Sequence, residues 1–445
     1  MACVPMRVTI IAVGSRGDVQ PYIALGLGLV AAGHAVTIAT HETFRAFVSD
    51  HGLRFAPVAG DPRAMVATAD RWLATGRKRH ALPVAREMLR VLRPIMAAWL
   101  ADFWRVSQDS DLLIYSAVAT PAWSVAERLG IPGVAAYLQP LHRTRDFAAV
   151  GMPNSVQLGA SFNLATHILT QQIAWQPIRR QINAWRRDTL SLPPAAGYGP
   201  LGRSRVAAAL PTLYACSPLV VPKPTDWGPA IRVTGYWVLP PDQDWRPSAE
   251  LDAFLRSGEP PIYVGFGSMT PSRADRLTAI AVDALADTGQ RGVLLGGWGA
   301  LGEGALPASV IAVRDVPHEW LLPRMRAIVH HGGAGTTGAA LRAGVPSIVI
   351  PLGFDQPFWA GRVHALGVGP RPISRRRLTA ERLADAMRQA VRDEAMRARA
   401  ASLGAALRAE RGVDVAVAAL EAIAAGWRRP HVHRVATLTS RAVDS

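Results

Sequence analysis

Residues Ile328 to Arg362, IVHHGGAGTTGAALRAGVPSIVIPLGFDQPFWAGR, constrain the fold of this chain more than any other stretch. The apolar run Ala327 to Val329 predicts a strand that gives way to two histidines and a run of glycines and threonines, and Thr337 to Ala343 carries an alanine-rich helical pattern. Gly344-Val345-Pro346 stops that helix, Ser347 to Ile350 has the β-branched content of a second strand, and the loop from Pro351 ends in Asp355-Gln356-Pro357. The stretch therefore reads as one βαβ unit with polar groups at both strand ends. Its glycines let the backbone approach an anion closely, and the start of its helix offers unpaired N–H groups with a favourable dipole. A diphosphate is the expected guest.

The same rhythm opens the chain. Met6 to Val13 is an apolar, β-branched run bounded by Gly14; Gln20-Pro21 then predicts a helix through Ala31 with Gly33 at its end, and Val36 to Ala39 is the next strand. Gly14-Ser15-Arg16-Gly17-Asp18 is not the GxGxxG dinucleotide fingerprint, so this Rossmann-like start gives no support for NAD. Asp18 falls at the carboxyl end of a central strand, where open α/β sheets hold their ligands. Three readings of it compete: a helix cap, an adhesive Arg-Gly-Asp, and a catalytic base. The adhesive reading needs an exposed extracellular loop and is set aside; capping is ordinary for an Asp before a helix.

Strands at Gly52 to Asp61, Asp111 to Ser116 and Ile131 to Leu138 alternate with helical regions at Asp70 to Arg105 and Pro121 to Leu129, as a parallel sheet requires. From Gln139 to Pro194 the rhythm breaks into a loop and helical stretches carrying Trp175 and Trp185. With Trp72, Trp99 and Trp104 upstream, these tryptophans read singly as core; lining an acceptor pocket is the sharper alternative. Leu213 to Cys216 and Arg232 to Val238 close a first domain. Asp242 and Asp244 form a DxD inside the Pro-rich LPPDQDWRP with no strand before it, so they read as turn residues and not as a metal site. A second count then begins: a helix at Ser248 to Arg256, strands at Pro261 to Phe266, Gly292 to Leu295 and Ile311 to Val316, the βαβ unit described first, and helices at Leu378 to Val391 and Glu394 to Ala424. The expected organisation is a first Rossmann-like domain over 1–238, a linker over 239–247, a second Rossmann-like domain over 248–425 and a basic disordered tail over 426–445.

Composition excludes several classes. A chain of 445 residues with 49% hydrophobic content has enough apolar mass for two cores. Two cysteines, Cys3 and Cys216, argue against a disulfide framework or a zinc cluster and fit a reducing cytoplasm. No metal is expected. MACVPMRVTIIAVG lacks the order of a signal peptide, and no apolar run approaches the roughly 18 residues that span a bilayer. A net charge of +16 attracts polyanions, yet no nucleic-acid module surrounds the arginine clusters at Arg375-Arg376-Arg377, Arg179-Arg180 or Arg186-Arg187. No nucleic-acid partner is expected; solvated arginine-rich faces are the plain reading of the charge, and loose peripheral contact with a membrane is the alternative kept beside it.

GSRGDVQPYIALGLGL near the N-terminus, FGSM at Phe266 to Met269, INAWRRDTLSLPP at Ile182 to Pro194, and DVPHEWLLPRMRAIVHHGGAGTTGAALRAGVPSIVIPLGFDQPFWAGRV together resemble the sterol-glucosyltransferase and glycopeptide-antibiotic glycosyltransferases. The resemblance covers most of the chain and implies the α/β, two-Rossmann-domain GT-B fold with metal-independent, inverting hexosyl transfer. No cofactor is implied beyond the donor, a UDP-sugar or a TDP-sugar, with UDP-glucose preferred and a hydrophobic, hydroxyl-bearing acceptor such as a sterol, terpenoid or polyketide. By the same resemblance His331 contacts the donor α-phosphate. Gly333, Gly335, Thr336 and Thr337 hold the β-phosphate with Ser268 nearby, and Asp355 and Gln356 bind the hexose. Val316, Pro317 and His318 flank the nucleobase, and Asp18 stands beside the acceptor hydroxyl as a general base. Adjacent strand residues point to opposite faces, so one of His330 and His331 is expected to be structural. The last helix is expected to cross back to the first domain. A deoxysugar or rhamnosyl transferase and a catalytically silent sugar-nucleotide-binding auxiliary are the competing readings.

Overall fold

The computed structural model describes residues 4–64, 81–152, 158–195, 197–200, 210–242, 244–267, 274–296 and 305–427. Two parallel sheets organise them. The first contains β1 (Arg7–Ile11), β2 (Ala35–His41), β3 (Arg54–Val58), β4 (Leu112–Tyr115), β5 (Gly133–Tyr137), β6 (Thr212–Tyr214) and β7 (Ile231–Val233) in the order β3-β2-β1-β4-β5-β6-β7. Its helices are α1 (Arg16–Ala31), α2 (Arg45–Ser49), α3 (Ala81–Val106), α4 (Trp123–Leu129) and α5 (Ala160–Asp188). The second contains β8 (Ile262–Gly265), β9 (Gly292–Leu295), β10 (Val310–Val313), β11 (Ala327–His330) and β12 (Ser347–Val349) in the order β10-β9-β8-β11-β12. Around it lie α6 (Ala249–Arg256), α7 (Ala274–Thr288), α8 (His318–Leu321), α9 (Ala334–Ala343), α10 (Gln356–Ala365), α11 (Ala380–Arg392), α12 (Glu394–Ala409) and α13 (Gly412–Gly426).

Both strand orders reverse beside the first strand of their sheet, at β1/β4 and at β8/β11. Helices leaving neighbouring strands to opposite faces open a crevice at the carboxyl ends there, which is where this architecture holds ligands. The central strands are buried on both faces: Ile10 and Ile11 of β1 and Ile328 and Val329 of β11 are fully covered, as continuous apolar runs in a parallel sheet require.

Several boundaries move for local reasons. α1 begins at Arg16, four residues before the predicted start, so Pro21 lies inside the helix and not at its opening. Without an N–H at Pro21, the Gly17 carbonyl loses its partner one turn on. α9 likewise begins at Ala334, three residues before the predicted Thr337, which converts Ala334, Gly335 and Thr336 from loop into first helical turn. The single helix expected over Glu394 to Ala424 divides at Glu410 and Arg411 into α12 and α13. α12 stays on the second domain, where Gly404 lies against Gly344; α13 crosses to the first, burying Ala416, Val417 and Leu420 with Val19, Ile23 and Leu29. Gly28 of α1 faces Val413 with no room for a Cβ, so the crossing helix seats at a small-residue position. The tryptophans are structural: Trp99, Trp175 and Trp185 are buried, and the first two donate to the carbonyls of Ala59 at 2.7 Å and Gly197 at 3.1 Å. Asp242 accepts from the Asp244 N–H at 2.9 Å, a turn within the linker. Trp72 and the tail from residue 428 lie outside the described residues.

Candidate active site

The two opening turns meet across the cleft between the sheets. α1 and α9 pack at their N-terminal ends, with a Cβ on Gly335 placed 3.9 Å from the Gly17 carbonyl oxygen. Each helix start offers unpaired amides to the same space. At the rim, Arg16 of α1 forms an exposed 2.5 Å ion pair with Asp315, a non-glycine residue at φ 50° in the β10–α8 loop.

Asp18 stands in the first turn of α1, half-buried, with Oδ2 accepting the Ser15 N–H at 2.8 Å and the Ser15 hydroxyl at 2.9 Å. That is a capping geometry, because the side chain returns to the residue that precedes the helix. Burial nevertheless pushes the carboxyl above its usual range, and the two Ser15 bonds only partly oppose it. Gly14, at φ 140°, backs this carboxylate so closely that a Cβ there would lie 2.5 Å from Oδ2. Capping is the role the geometry shows, and no other described group hydrogen-bonds the carboxylate.

His331 follows β11 and is buried between two glycines. A Cβ at Gly333 would stand 2.5 Å from its Nε2, and one at Gly267, itself at φ 65°, would stand 2.8 Å from its Cε1. Burial, helped by His318, lowers its pKa to about 4, against the weaker upward pull of the Gly265 carbonyl. The ring is neutral at pH 7, so the charge-assisted bond expected of it requires an anion to be present first. Its Nδ1 is buried and has no hydrogen-bond partner of good geometry among the described residues. His330 takes the structural role: it is fully buried, and its Nδ1 accepts the Gly332 N–H at 3.1 Å. Gly333 is the N-cap of α9 with no side-chain cap, Gly335 is exposed, Thr336 is half-buried, and Thr337 is fully buried with an unpartnered hydroxyl.

Asp355 precedes α10 and faces the same helix start. Its carboxylate accepts the Trp359 indole N–H at 2.8 Å, and the Ala334 amide also favours its charged form. Burial raises its pKa to about 6, outweighing the Trp359 bond, and the charge of Asp18 pushes in the same direction. The two carboxylates belong to one electrostatic site although more than three hundred residues separate them. Gln356 is buried and its Oε1 accepts the amides of Leu352 at 2.6 Å and Gly353 at 3.1 Å, so the side-chain oxygen staples the loop on which Asp355 is presented.

Val316 and Pro317 are half-buried in the turn before α8. His318, at the start of α8, meets the Tyr263 hydroxyl through Nε2 at 3.2 Å and is lowered to about 4, first by burial and then by Arg16. Ser268 lies outside the described residues.

Sequence reasoning raised an aromatic-lined pocket without naming its members; the structure packs an aromatic wall into the core of the first domain. Tyr214 and Trp227 stack at 4.8 Å, Tyr137 and His142 flank Tyr214, and Phe147 reaches Phe358 of the second domain at 5.2 Å. The Tyr214 oxygen accepts the amides of Leu141 and His142 at 3.0 Å each, leaving its proton for His142 Nδ1 at 2.6 Å. Burial lowers His142 to about 4, so the wall is uncharged. Its members come from β5, β6 and loops with no common periodicity. Among the described residues no three His, Cys, Asp or Glu side chains converge to hold a metal ion.

The arrangement combines two facing helix starts, a half-buried carboxylate beside one of them, a second half-buried carboxylate folded back on the cap of the other, and an aromatic wall. Residues 8–148 match the glycosyltransferase family 28 N-terminal domain, and residues 300–422 match the C-terminal domain of erythromycin biosynthesis protein CIII-like proteins. The sterol 3-beta-glucosyltransferase of Emericella nidulans is 38% identical over 429 residues, covering 94% of this chain and 30% of that protein; the chain therefore spans under a third of that relative's length. Among solved structures, the kitacinnamycin glycotransferase superposes with TM-score 0.66 at 24% identity over 94% of this chain and 99% of its own. VinC in complex with DTDP superposes with TM-score 0.63 at 23% identity over 94% and 100%. These similarities at low identity establish the shared two-domain fold.

Proposed function

We propose that the chain, whose two halves match these two glycosyltransferase domain types, transfers a hexose from a nucleotide diphosphate sugar to the hydroxyl of a hydrophobic acceptor. One observation carries the proposal: the helix starts of α1 and α9 face each other across the cleft, with Asp18 in the first turn of α1 and Asp355 at the N-cap of α10 beside α9. The donor diphosphate lies over the amides of Gly333, Gly335, Thr336 and Thr337, beside His331; Ser268 keeps only the role that the sequence resemblance gives it. An incoming dianion raises the depressed pKa of His331, and the imidazole then bonds to phosphate. Asp355 accepts from hexose hydroxyls while Gln356 fixes the loop that carries it. Val316, Pro317 and His318 flank the base.

The acceptor lies on the wall of Tyr137, His142, Tyr214 and Trp227. Asp18 removes the proton of its hydroxyl, the oxygen attacks the anomeric carbon, and the bond to the β-phosphate oxygen breaks with inversion. The electron pair departs on the diphosphate, whose new charge falls on the α9 amides and His331. Donor and base suffice for this transfer, and we assign it no cofactor or metal. Supporting glucose as the sugar and a sterol-like acceptor is the 38% identity to the Emericella nidulans sterol 3-beta-glucosyltransferase over nearly the whole of this chain; UDP as its carrier rests on the sequence resemblance alone. A cytoplasmic site of action is part of the same reading.

Titration calorimetry with UDP, TDP and their glucose adducts, followed by turnover with sterol, terpenoid and polyketide alcohols, tests it. Tighter binding of UDP-glucose than of TDP-glucose and glucoside formation on an apolar alcohol are expected. Tight donor binding with no transfer to any alcohol assigns the chain to a silent auxiliary role, and preference for TDP moves the donor to the deoxysugar class.

A further inference from the structure

The outer surface of α5 has a composition that neither core nor cleft explains. Leu169 is 59% exposed and Ile173 65% exposed on this helix, with Ile168 at 36%, and Tyr198 beside them is 66% exposed. Tyr198 belongs to the same patch, because Gln172 and Gln176 of α5 donate to the carbonyls of Tyr198 and Gly197 at 3.2 and 3.0 Å. Further along the helix a surface cavity of about 730 Å³ is lined by Arg179, Arg180 and Arg187 of α5 and by Arg93 of α3. At about 100° per residue, Leu169, Arg180 and Arg187 lie within about 20° of one another around the helix axis, with Ile173 within about 40°. One stripe of one helix is therefore apolar over its first half and basic over its second.

The basic half is largely uncompensated. Among the described residues Arg187 pairs with Asp188 at 2.8 Å, and Arg179 reaches only the neutral Gln176, at 3.5 Å. Arg93 and Arg180 have no acidic partner there, and all four cavity arginines sit around one concavity. No helix among the described residues is long and apolar enough to cross a membrane. Exposed leucine, isoleucine and tyrosine next to gathered arginines suit a helix lying in a bilayer interface, with apolar side chains among acyl chains and guanidinium forks on phosphates.

The buried side of the same helix fixes the placement of this surface. Thr166 accepts the Ala149 amide at 2.9 Å, His167 meets the Phe147 carbonyl at 3.0 Å, and Gln171 bonds Arg143 and the Leu141 carbonyl. Those loop residues bear the aromatic wall, so α5 separates the wall from the exposed stripe by one helix diameter. We infer that α5 is a peripheral docking surface for anionic phospholipid membrane, seating Leu169, Ile173 and Tyr198 in the interface and phospholipid phosphate in the cavity of Arg93, Arg179, Arg180 and Arg187. Docked there, the chain holds its acceptor wall beside the phase in which an apolar alcohol dissolves.

The test is co-sedimentation of the full 445-residue chain with vesicles of phosphatidylcholine alone and of phosphatidylcholine with phosphatidylserine, without donor or acceptor, so that a failure of the transfer reading leaves the result interpretable. The parent is expected to prefer the anionic vesicles at least tenfold and to lose that preference as salt rises. Arg179→Gln with Arg180→Gln is expected to weaken anionic binding about 25-fold, at about fivefold per arginine. Leu169→Glu with Ile173→Glu is expected to weaken it more than tenfold, through loss of apolar burial and added repulsion. Both pairs are exposed, and unchanged melting checks that they fold. The basic tail is intact in both variants. Equal binding of parent and either variant to anionic vesicles overturns the inference, as does binding to neutral vesicles as tight as to anionic ones. Full competition by soluble inorganic phosphate at millimolar concentration also overturns it, since that marks an ion site and not a membrane surface.

Discussion

Asp18→Asn separates the cap that the structure shows from the base role proposed for the same side chain. The carboxylate accepts 2.8 and 2.9 Å bonds from the amide and hydroxyl of Ser15. Asparagine keeps an oxygen in that position, so the cap survives with a neutral acceptor in place of a charged one, a loss of about 1 kcal/mol. The burial that raises the carboxyl pKa is a cost of holding charge in the cleft, and removing the charge recovers part of that loss. Net stability should change by less than about 1 kcal/mol. Catalysis should not be spared, because asparagine cannot take the acceptor proton: turnover is expected to fall about 10²- to 10⁴-fold, or about 2.7 to 5.4 kcal/mol of activation free energy. Donor affinity should hold, since the proposed diphosphate seat is built from α9 and His331 and not from the Asp18 side chain. The parent's pH profile supplies an independent check. A base works deprotonated, so activity is lost as pH falls through the raised pKa of Asp18, on a limb that lies above 3.8, and the variant should lack that limb. The measurements are kcat at saturating donor, calorimetric donor affinity and thermal melting. Turnover within threefold of the parent, with a melting point lowered by several degrees, would mean that Asp18 only caps α1.

Gly333→Ala meets no backbone strain, because φ is −61°, but its new methyl lands 2.5 Å from His331 Nε2. The imidazole must move, and UDP affinity is expected to fall about tenfold to a hundredfold with the melting point nearly unchanged; calorimetry decides, and undiminished affinity removes His331 from the diphosphate seat. Trp359→Phe deletes the 2.8 Å indole bond that favours charged Asp355, so the Asp355 pKa should rise further above about 6, visible in carboxyl carbon NMR titration, together with a raised donor KM. For stability the sign follows from the same shift: a carboxyl whose folded pKa stands above its unfolded value contributes most below the unfolded pKa, and that contribution is lost as pH rises through about 6. In the variant the loss should extend to higher pH, and a pH-melting series that matches the parent's refutes the role given to Trp359.

Much of the fold was legible because parallel α/β sheets write themselves as repeated apolar runs punctuated by glycine. β9 occupies the predicted Gly292 to Leu295, and β11 exceeds its prediction by one residue, His330. Boundaries at functional turns were less legible. Proline inside α1 and glycines and threonines at the start of α9 carry poor helix propensity, and tertiary packing overrides it where the two helix ends meet. The division of α12 from α13 was invisible to periodicity, since both halves are alanine-rich and only their different partners separate them.

The stretch HHGGAGTT with its trailing DQP determined by itself that a helix start and a strand end would stand together, because both lie within one βαβ unit and local chain geometry fixes their distance. Even Trp359 could have been found there, four residues past Asp355 and hence on the same side of a helix. Tertiary structure alone decided which charges share the cleft. It brought Asp18 into electrostatic contact with Asp355, left His331 neutral by burial, set Phe147 against Phe358, and turned one face of α5 outward with its arginines gathered around a cavity. Charge state and proximity across two domains depend on desolvation and on packing between residues far apart in the chain, and no local pattern encodes either.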